Sequence, residues 1–388
     1  MRVPVHGDAR RGNTLLGVVG KTLTSNVHLV TAPYAVMTLL AALTTIGASA
    51  LMRRVGRPQG FVVGAFAAIL GGTLAMWALW LHSFWTFCAA FGLIGVYEAF
   101  AQYYRFAAAE VVTHSSFALK SNGISVVLVG SFGAAVCGPW IAAKVRNLVP
   151  ALPYAGSFLS IALMGVLSLL LVAALKFPHG ATQTPMVRPK TRTDLFVLLR
   201  RPEIVVAITC ATIGYTVMAA MMITAPLAII GYGGSVSVAA IIMQFHVAGM
   251  YAPSFFTGKI IGKYGTRPTV LAGCLLQLVA SLIASYGEMV PAFAAALLLC
   301  GIGWNLMYVG STVMLTHSCS DEERATVQGA NEFIMFSFVT AGSFAIATAL
   351  NRYGWHGIQI ILAATLLIAA GVTLRYRWSY GQHDKGGQ

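Results

Sequence analysis

Glu98, Gln102 and Arg105 recur at i, i+4 and i+7 within a long apolar run, which puts a carboxylate, an amide and a guanidinium on one stripe of one helix. Such a stripe can relay a proton or hold a polar solute. It can also be an ion pair or hydrogen-bond chain that locks helix packing. Asn331 and Glu332 stand together near the start of another apolar run. A carboxylate there suits a site, or a helix cap favoured by the helix dipole. His246, two residues after Gln244, can change charge near neutral pH and so suits proton coupling; a neutral histidine bonded to a carbonyl is the plainer alternative. Trp304, Asn305 and Tyr308 put flat rings beside an amide, with Asn305 and Tyr308 on a shared face. They suit a planar heterocycle, held by stacking and edge hydrogen bonds, or ordinary core packing. Tyr103 and Tyr104 are ambiguous, because adjacent residues point different ways.

The elements that hold these residues are apolar helices. Hydrophobic residues make up 57% of the 388 residues and charged ones only 9%, and the mean hydropathy is +0.77. A soluble chain of this length needs far more charge to cover its surface. Stretches of about 20 apolar residues recur, each long enough to span a bilayer, and backbone groups in lipid can be satisfied only in helix or closed barrel. The pattern predicts an all-α polytopic membrane protein with eleven spanning helices, near 29–51, 60–81, 84–109, 122–144, 154–176, 204–231, 237–261, 268–287, 291–315, 328–350 and 355–376. In such helices an ionisable group costs about 2.5–3.5 kcal/mol at the centre by insertion scales, so each is a functional candidate by default.

The net charge of +14 points to lipid head groups rather than nucleic acid, because the cations sit at segment ends. Six scattered cysteines without a CxxC indicate neither zinc nor a disulfide framework, and no metal or cofactor is expected. Arginines and a short apolar stretch at 14–20 lack a cleavage site, so no signal peptide is read. The loops at 52–58, 110–121, 177–203, 259–267 and 317–327, with Lys176 and the C-terminal tail, carry 17 Lys and Arg, and the opposite loops carry three. That asymmetry puts the long loop and the C-terminus in the cytoplasm. The expected organisation is a bundle over 1–176, a basic linker over 177–203 and a six-helix bundle over 204–388.

The two bundles repeat one another. Ser49-Ala50-Leu51-Met52-Arg53-Arg54-Val55-Gly56-Arg57 is answered 209 residues later by Gly258-Lys259-Ile260-Ile261-Gly262-Lys263-Tyr264-Gly265-Thr266. Thr113-His114-Ser115 is answered by Thr316-His317-Ser318 at an offset of 203, and Lys120 to Gly123 by Arg324 to Gly329 at 204. A repeat at this spacing in so apolar a chain is the pattern of a secondary transporter. The segment at 13–20 is too short to span, which leaves the first bundle one helix short. Either the native chain starts upstream of Met1 or the first helix has been lost, and the first explanation is preferred.

These basic turns resemble the major facilitator superfamily, whose members carry G-x-L-x-D-R-x-G-R-R between the second and third helices of each half. The first copy has Ser49 for the leading glycine and Arg53 for the acid; the second keeps Gly258, Lys263 and Gly265, has Gly262 at the acid position and Arg267 one residue late. The resemblance covers the chain from about residue 13. It implies a two-bundle fold, and gating through Arg53, Arg54, Gly56, Arg57, Gly258, Lys263, Gly265 and Arg267. In the family the acid helps latch the gate, so gating here must lean on other contacts. The runs Tyr97 to Phe106, Gly301 to Asn305 and Val327 to Phe333 resemble a bacterial branch of the superfamily near rhizobial riboflavin importers, in which the residues aligned near Gly20 end a complete first helix. The family often places an inward-facing arginine where Arg105 stands.

The expected activity is alternating-access transport of a small organic solute, with riboflavin or a similar planar heterocycle as the best substrate and protons as a candidate coupling ion. A single chain suffices, working as a monomer in a bacterial inner membrane. One alternative is drug/proton efflux, which Met218, Met221 and Met222 on one face would serve; they also suit helix packing. The segment Gly130–Pro139 has Gly133 and Gly138-Pro139 of the antiporter signature but Ile141-Ala142 for its trailing glycine pair, which weighs against exchange. A second alternative is a membrane protein that transports nothing. An enzyme is not expected, since HExxH, nucleophile-elbow and phosphate-loop motifs are absent from the sequence. His82, His114, His317 and His356 fall in loops and are expected to be solvated or structural.

Overall fold

The computed structural model describes residues 32–111, 117–145, 154–174, 195–287 and 289–375, with short pieces at 23–24, 29, 148–150 and 152. The expected incomplete first helix, Thr113 to Ser115 and the linker as far as 194 lie outside the described residues. The helices are α1 (Ala32–Val55), α2 (Arg57–Trp80), α3 (Phe84–Ala101), α4 (Tyr104–Val111), α5 (Phe117–Val145), α6 (Ala155–Ala174), α7 (Leu195–Leu198), α8 (Pro202–Gly231), α9 (Val236–Tyr251), α10 (Ser254–Tyr264), α11 (Thr266–Tyr286), α12 (Val290–His317) and α13 (Asp321–Arg375). Among the described residues nine helices, counting α3 with α4 and α9 with α10 as one each, are long and apolar enough to cross a membrane. The central helix α5 and the first limb of α13 occupy the other two of the eleven expected positions.

Three expected helices depart from a plain rod. The run expected at 84–109 breaks at Gln102 and Tyr103, whose amides bond to Glu98 and Phe100 carbonyls at 3.1 Å. The run expected at 237–261 breaks at Pro253, which has no N–H to give. The last two expected helices form one element, α13, turned at Gly354 with φ 67°.

Local chemistry sets the helix starts. Ser83 and Ser235 cap α3 and α9 by accepting the amides of Thr86 and Val238. Prolines stand in the first turns of α2, α8 and α12, where a missing N–H costs nothing. The two repeat turns match in backbone as well as in sequence: Gly56 has φ +95° and Gly265 has φ +85°, a region that suits glycine alone.

Large apolar side chains such as Leu43, Leu70, Leu170 and Ile360 point outward, whereas the faces turned inward are rich in buried alanine. Without water to drive association, close backbone approach carries much of the packing. A Cβ on Gly64 would come 2.7 Å from Phe100 Cβ, and one on Gly273 would come 2.7 Å from the Gly303 carbonyl. Gly64 and Gly273 are again 209 residues apart, so the α2–α3 and α11–α12 seams are copies. Helices α1–α6 make one bundle and α8–α13 the other; they meet along α1 with α13 and along α5 with α9 and α10.

At the end carrying the basic turns, Arg201 donates to both carboxylate oxygens of Glu323 at 2.8 and 2.7 Å, and Ser320 caps the start of α13. The guanidinium holds the Glu323 carboxyl below its usual range. A depressed carboxylate pKa stabilises above the ordinary glutamate value and is lost as pH falls through the folded one. Because Arg201 is 40% exposed, Arg201→Gln is expected to cost at most about 1 kcal/mol at neutral pH. The difference should close in melts run through the acid range.

Candidate functional site

Between the bundles lies a cavity of about 220 Å³ lined from both sides: Tyr97, Ala101, Gln102, Tyr104 and Arg105 of the α3–α4 rod, Val127, Leu128 and Ser131 of α5, Tyr215, Tyr251, and Trp304 and Tyr308 of α12. The helical stripe puts Gln102 and Arg105 into this wall together. Arg105 donates to Gln102 Oε1 at 2.7 Å, and the Tyr308 hydroxyl donates to the same oxygen at 2.7 Å. The guanidinium also lies over the Tyr308 ring at 4.2 Å and the Phe106 ring at 4.6 Å. Its charge is answered across the bundles by Glu332 of α13, with both side chains buried. Asn331 donates to the same Glu332 oxygen at 2.8 Å. Glu98, half-buried, lies one turn before Gln102 and interacts electrostatically with Glu332, Tyr34, Tyr215 and Tyr251.

The aromatic part of the wall is ordered. Trp304 stacks on Tyr308 with ring centroids 4.8 Å apart and 17° between planes. Tyr215 meets both rings edge-on at 5.7 Å, and Tyr251 meets Trp304 at 5.8 Å. Arg105 and Tyr308 stand 203 residues apart, the offset between the repeated Thr-His-Ser motifs. Equivalent positions of the two repeats therefore touch at the centre of the molecule.

Other expected residues stand elsewhere. Asn305 is wholly buried and its amide is fully engaged: it donates to the Met250 carbonyl at 2.7 Å and to Ser254 at 2.6 Å, and it accepts from Thr257 at 2.7 Å. All three partners flank the Pro253 break, so Asn305 braces that kink. Asn305→Leu is expected to cost about 1–3 kcal/mol, the penalty for stranding buried polar groups, and to lower the melting temperature of the purified chain. His246 is buried on the α9–α12 seam with Nδ1 2.7 Å from the Leu297 carbonyl. A carbonyl only accepts, so Nδ1 carries the hydrogen. Gln244 is exposed, away from the cavity lining.

Of the expected gating residues, three groups act across or along the basic end. Arg53 donates to the Thr326 hydroxyl and Arg57 to Gln328 Oε1 at 2.9 Å. Ser49 donates to the Ala325 carbonyl, and Gly329 lies directly against Ser49. Tyr103 backs this seam, its hydroxyl bonded to the Thr45 carbonyl at 2.9 Å. Arg54 is exposed, Gly258 is buried, and Lys263 lies over the Tyr264 ring at 5.1 Å. Arg267 ties down the end of α13 by donating to the Thr373 and Leu374 carbonyls. The hydrogen bonds of Ser49, Arg53 and Arg57 to α13 thus come from the first repeat turn, while α10, which carries the second, packs on α5.

Sequence reasoning passed over Tyr97, Tyr215 and Tyr251 as lining residues. Their signal was a polar-tipped ring inside an apolar run, and for Tyr251 a position just before a helix-breaking proline. Met218 and Met221 are core residues packed within the second bundle and Met222 is partly buried against them. None of the three lines the cavity. A Cβ on Gly130, Gly133 or Gly138 of α5 would meet nothing within 4 Å among the described residues.

Two bundles that enclose a cavity lined by aromatic and polar side chains define a membrane carrier. The chain belongs to the major facilitator superfamily: the profile of the Major Facilitator Superfamily matches residues 12–342 and 247–385. The chain is similar to the riboflavin transporter RfnT of Brucella anthropi, with 36% identity over 365 residues, 94% of this chain and 91% of that one. It is also similar to the MFS-type transporter YdeG of Bacillus subtilis, at 23% identity over 90% of this chain and 83% of that one. In fold it resembles the transporter FucP, crystallised in the outward conformation, with TM-score 0.68 and 16% identity over 94% of this chain and 96% of that one. The human organic anion transporter MFSD10 gives TM-score 0.68 at 15% identity over 92% and 88% of the two chains. The chain is a multi-pass membrane transporter of a small-molecule substrate, and not an enzyme.

Proposed function

We propose that this transporter imports riboflavin or a closely similar planar heterocycle by alternating access. The observation that carries the reading is the cavity wall itself, with Trp304 stacked on Tyr308, two further tyrosines edge-on, and Gln102 and Arg105 beside them. Flat rings with a few placed polar groups suit a flat, polar-edged solute. Similarity to a riboflavin transporter over nearly the whole of both chains supports the same solute. The cavity, at about 220 Å³, is below the roughly 300–1,000 Å³ usual for small-molecule sites, so it must widen as the bundles part before it holds a whole flavin. Efflux of varied lipophiles calls for a roomy, adaptable pocket, and the methionines that would supply one are packed elsewhere.

In this reading the units 1–176 and 204–388 rock against each other, joined by the basic linker 177–203. The basic end and the C-terminus face the cytoplasm of a bacterial inner membrane, so the seam of Ser49, Arg53 and Arg57 is the cytoplasmic gate, closed here. Glu98 is the candidate proton-carrying group, as an ionisable side chain within a membrane helix one turn before Gln102. One chain supplies both halves, and a monomer suffices.

The test is riboflavin uptake, followed by its own fluorescence, in a riboflavin-auxotrophic bacterium expressing the chain. Uptake that depends on the chain and is lost in Glu98→Gln or Arg105→Ala at equal membrane expression supports the reading. A well-expressed chain that takes up no flavin overturns it. Trp304→Ala is expected to weaken apparent affinity by about 10- to 100-fold, since stacking a heterocycle on an aromatic side chain contributes about 1–3 kcal/mol. The concentration dependence of uptake measures this.

A further inference from the structure

The site holds more hydrogen-bonding capacity than it uses. Arg105 Nε, Glu332 Oε2 and Trp304 Nε1 are buried and have no hydrogen-bond partner among the described residues, although a buried polar atom left unpaired is a standing cost. They belong to one continuous assembly. Arg105 pairs with Glu332 and covers the ring of Tyr308, which stacks on Trp304. What is missing is an acceptor for each N–H and a donor for the carboxylate oxygen. The Arg105 guanidinium and the Glu332 carboxylate already neutralise each other, and Glu98 is not among the cavity-lining residues, so the complement is uncharged. A carbonyl next to an N–H on the edge of a flat ring offers an acceptor and a donor at fixed spacing, in the plane that stacks.

We propose that the substrate is an uncharged planar heterocycle with a cyclic imide edge, whose carbonyl and N–H bridge Arg105 Nε and Glu332 Oε2 across the two bundles. Trp304 Nε1 takes a further acceptor of the same ligand. This deepens the planar-heterocycle reading and rests on it; the pyrimidine edge of the riboflavin ring is one such imide. All three atoms are covered in this state, so the ligand reaches them as Arg105 and Glu332 begin to separate. Arg105 belongs to one bundle and Glu332 to the other, so a ligand that replaces their direct contact keeps the bundles linked while the two charges part.

The test is equilibrium binding to the purified full chain in lipid nanodiscs. Riboflavin and 3-methylriboflavin are read by flavin fluorescence; the two-ring imide lumazine and 3-methyllumazine are read by calorimetry. Methylating the imide nitrogen removes the donor and leaves ring and carbonyls in place. It is expected to weaken binding by about 10- to 100-fold in each pair, as a site built around an N–H rejects the analogue lacking it. In Glu332→Ala, which removes the acceptor and opens room, the methyl penalty should shrink to within about threefold. Should that variant not fold, Glu332→Asp, which withdraws the carboxylate by one methylene, is read the same way. Equal binding of riboflavin and 3-methylriboflavin overturns the imide assignment and leaves the heterocycle reading standing. A methyl penalty undiminished in the Glu332 variant is steric and overturns it too. Lumazine binding with the methyl penalty, but no riboflavin binding, upholds the imide edge and removes the flavin. Binding of neither ring system removes both.

Discussion

Arg105→Ala is expected to bring uptake down to background and to destabilise the protein, both effects arising from one buried pair. Arg105 and Glu332 are 3% and 0% exposed, so removing the guanidinium leaves a carboxylate in the interior with Asn331 as its remaining side-chain partner. Breaking a buried ion pair from one side typically costs about 3–5 kcal/mol, because the surviving charge is uncompensated. The same substitution uncovers the face of Tyr308 and removes one of the two donors to Gln102 Oε1. Arg105→Lys keeps the charge but not the fork that reaches Gln102 and Glu332 together, so it should recover stability better than transport. The double variant Arg105→Leu with Glu332→Leu separates the two effects. An apolar pair of similar volume restores much of the stability, while uptake stays lost because both polar groups are gone. Uptake and thermal melting in detergent, measured on all four chains at matched expression, decide it. Single variants that transport and melt like the parent would refute the central role given to this pair.

Gly329→Leu is expected to prevent the basic end from closing. The helices α1 and α13 approach so closely there that even a Cβ on Gly329 would sit 3.0 Å from Ser49 Cβ and 3.2 Å from its hydroxyl. An alanine could be accommodated by a small shift. A leucine cannot, since Ser49 is itself buried and bonded to the Ala325 carbonyl, and overpacking a tight seam costs about 1–3 kcal/mol or more. The bundles must then part along this line, and the bonds from Arg53 and Arg57 go with it. We expect uptake to fall at least about tenfold, the ratio that 1.4 kcal/mol implies, with the folded bundles intact. A cysteine placed at Thr326 should be labelled by a thiol reagent applied from the basic side faster in Gly329→Leu than in the parent. Equal labelling would mean that the seam does not close the pathway.

The fold was legible because its signals are long. A run of twenty apolar residues is unambiguous, and the repeat of Ser49 to Arg57 at 209 residues recurs in the paired φ values of Gly56 and Gly265. Breaks inside helices were not legible at Gln102, where no proline or glycine marks the turn; Pro253 did mark one and was read through. In the site, the spacing of Glu98, Gln102 and Arg105 placed a stripe on one helix but could not name Glu332, 227 residues away, as the partner of Arg105. Both residues were singled out, and only the fold joins them. Asn305 and Tyr308 share a helical face, yet one braces the Pro253 kink and the other lines the cavity. Helical phase says which residues face inward, and what waits on the inside is tertiary information. Tyr215 and Tyr251 were passed over for the same reason, as single rings without a motif.

Three hydrogen bonds across the basic end run from Ser49, Arg53 and Arg57 to a peptide carbonyl, a hydroxyl and a side-chain amide. None of these acceptors titrates, and none carries a charge for salt to screen. These bonds therefore hold their strength across changes of pH and ionic strength that would loosen a carboxylate latch. The bond from Ser49 contributes about 0.5–1.5 kcal/mol and each of those from the two guanidinium groups about 1.5–3 kcal/mol, amounts that the differential binding of a solute can offset. Any response of the carrier to pH must then enter elsewhere, at carboxylates such as Glu332 and not at these three bonds.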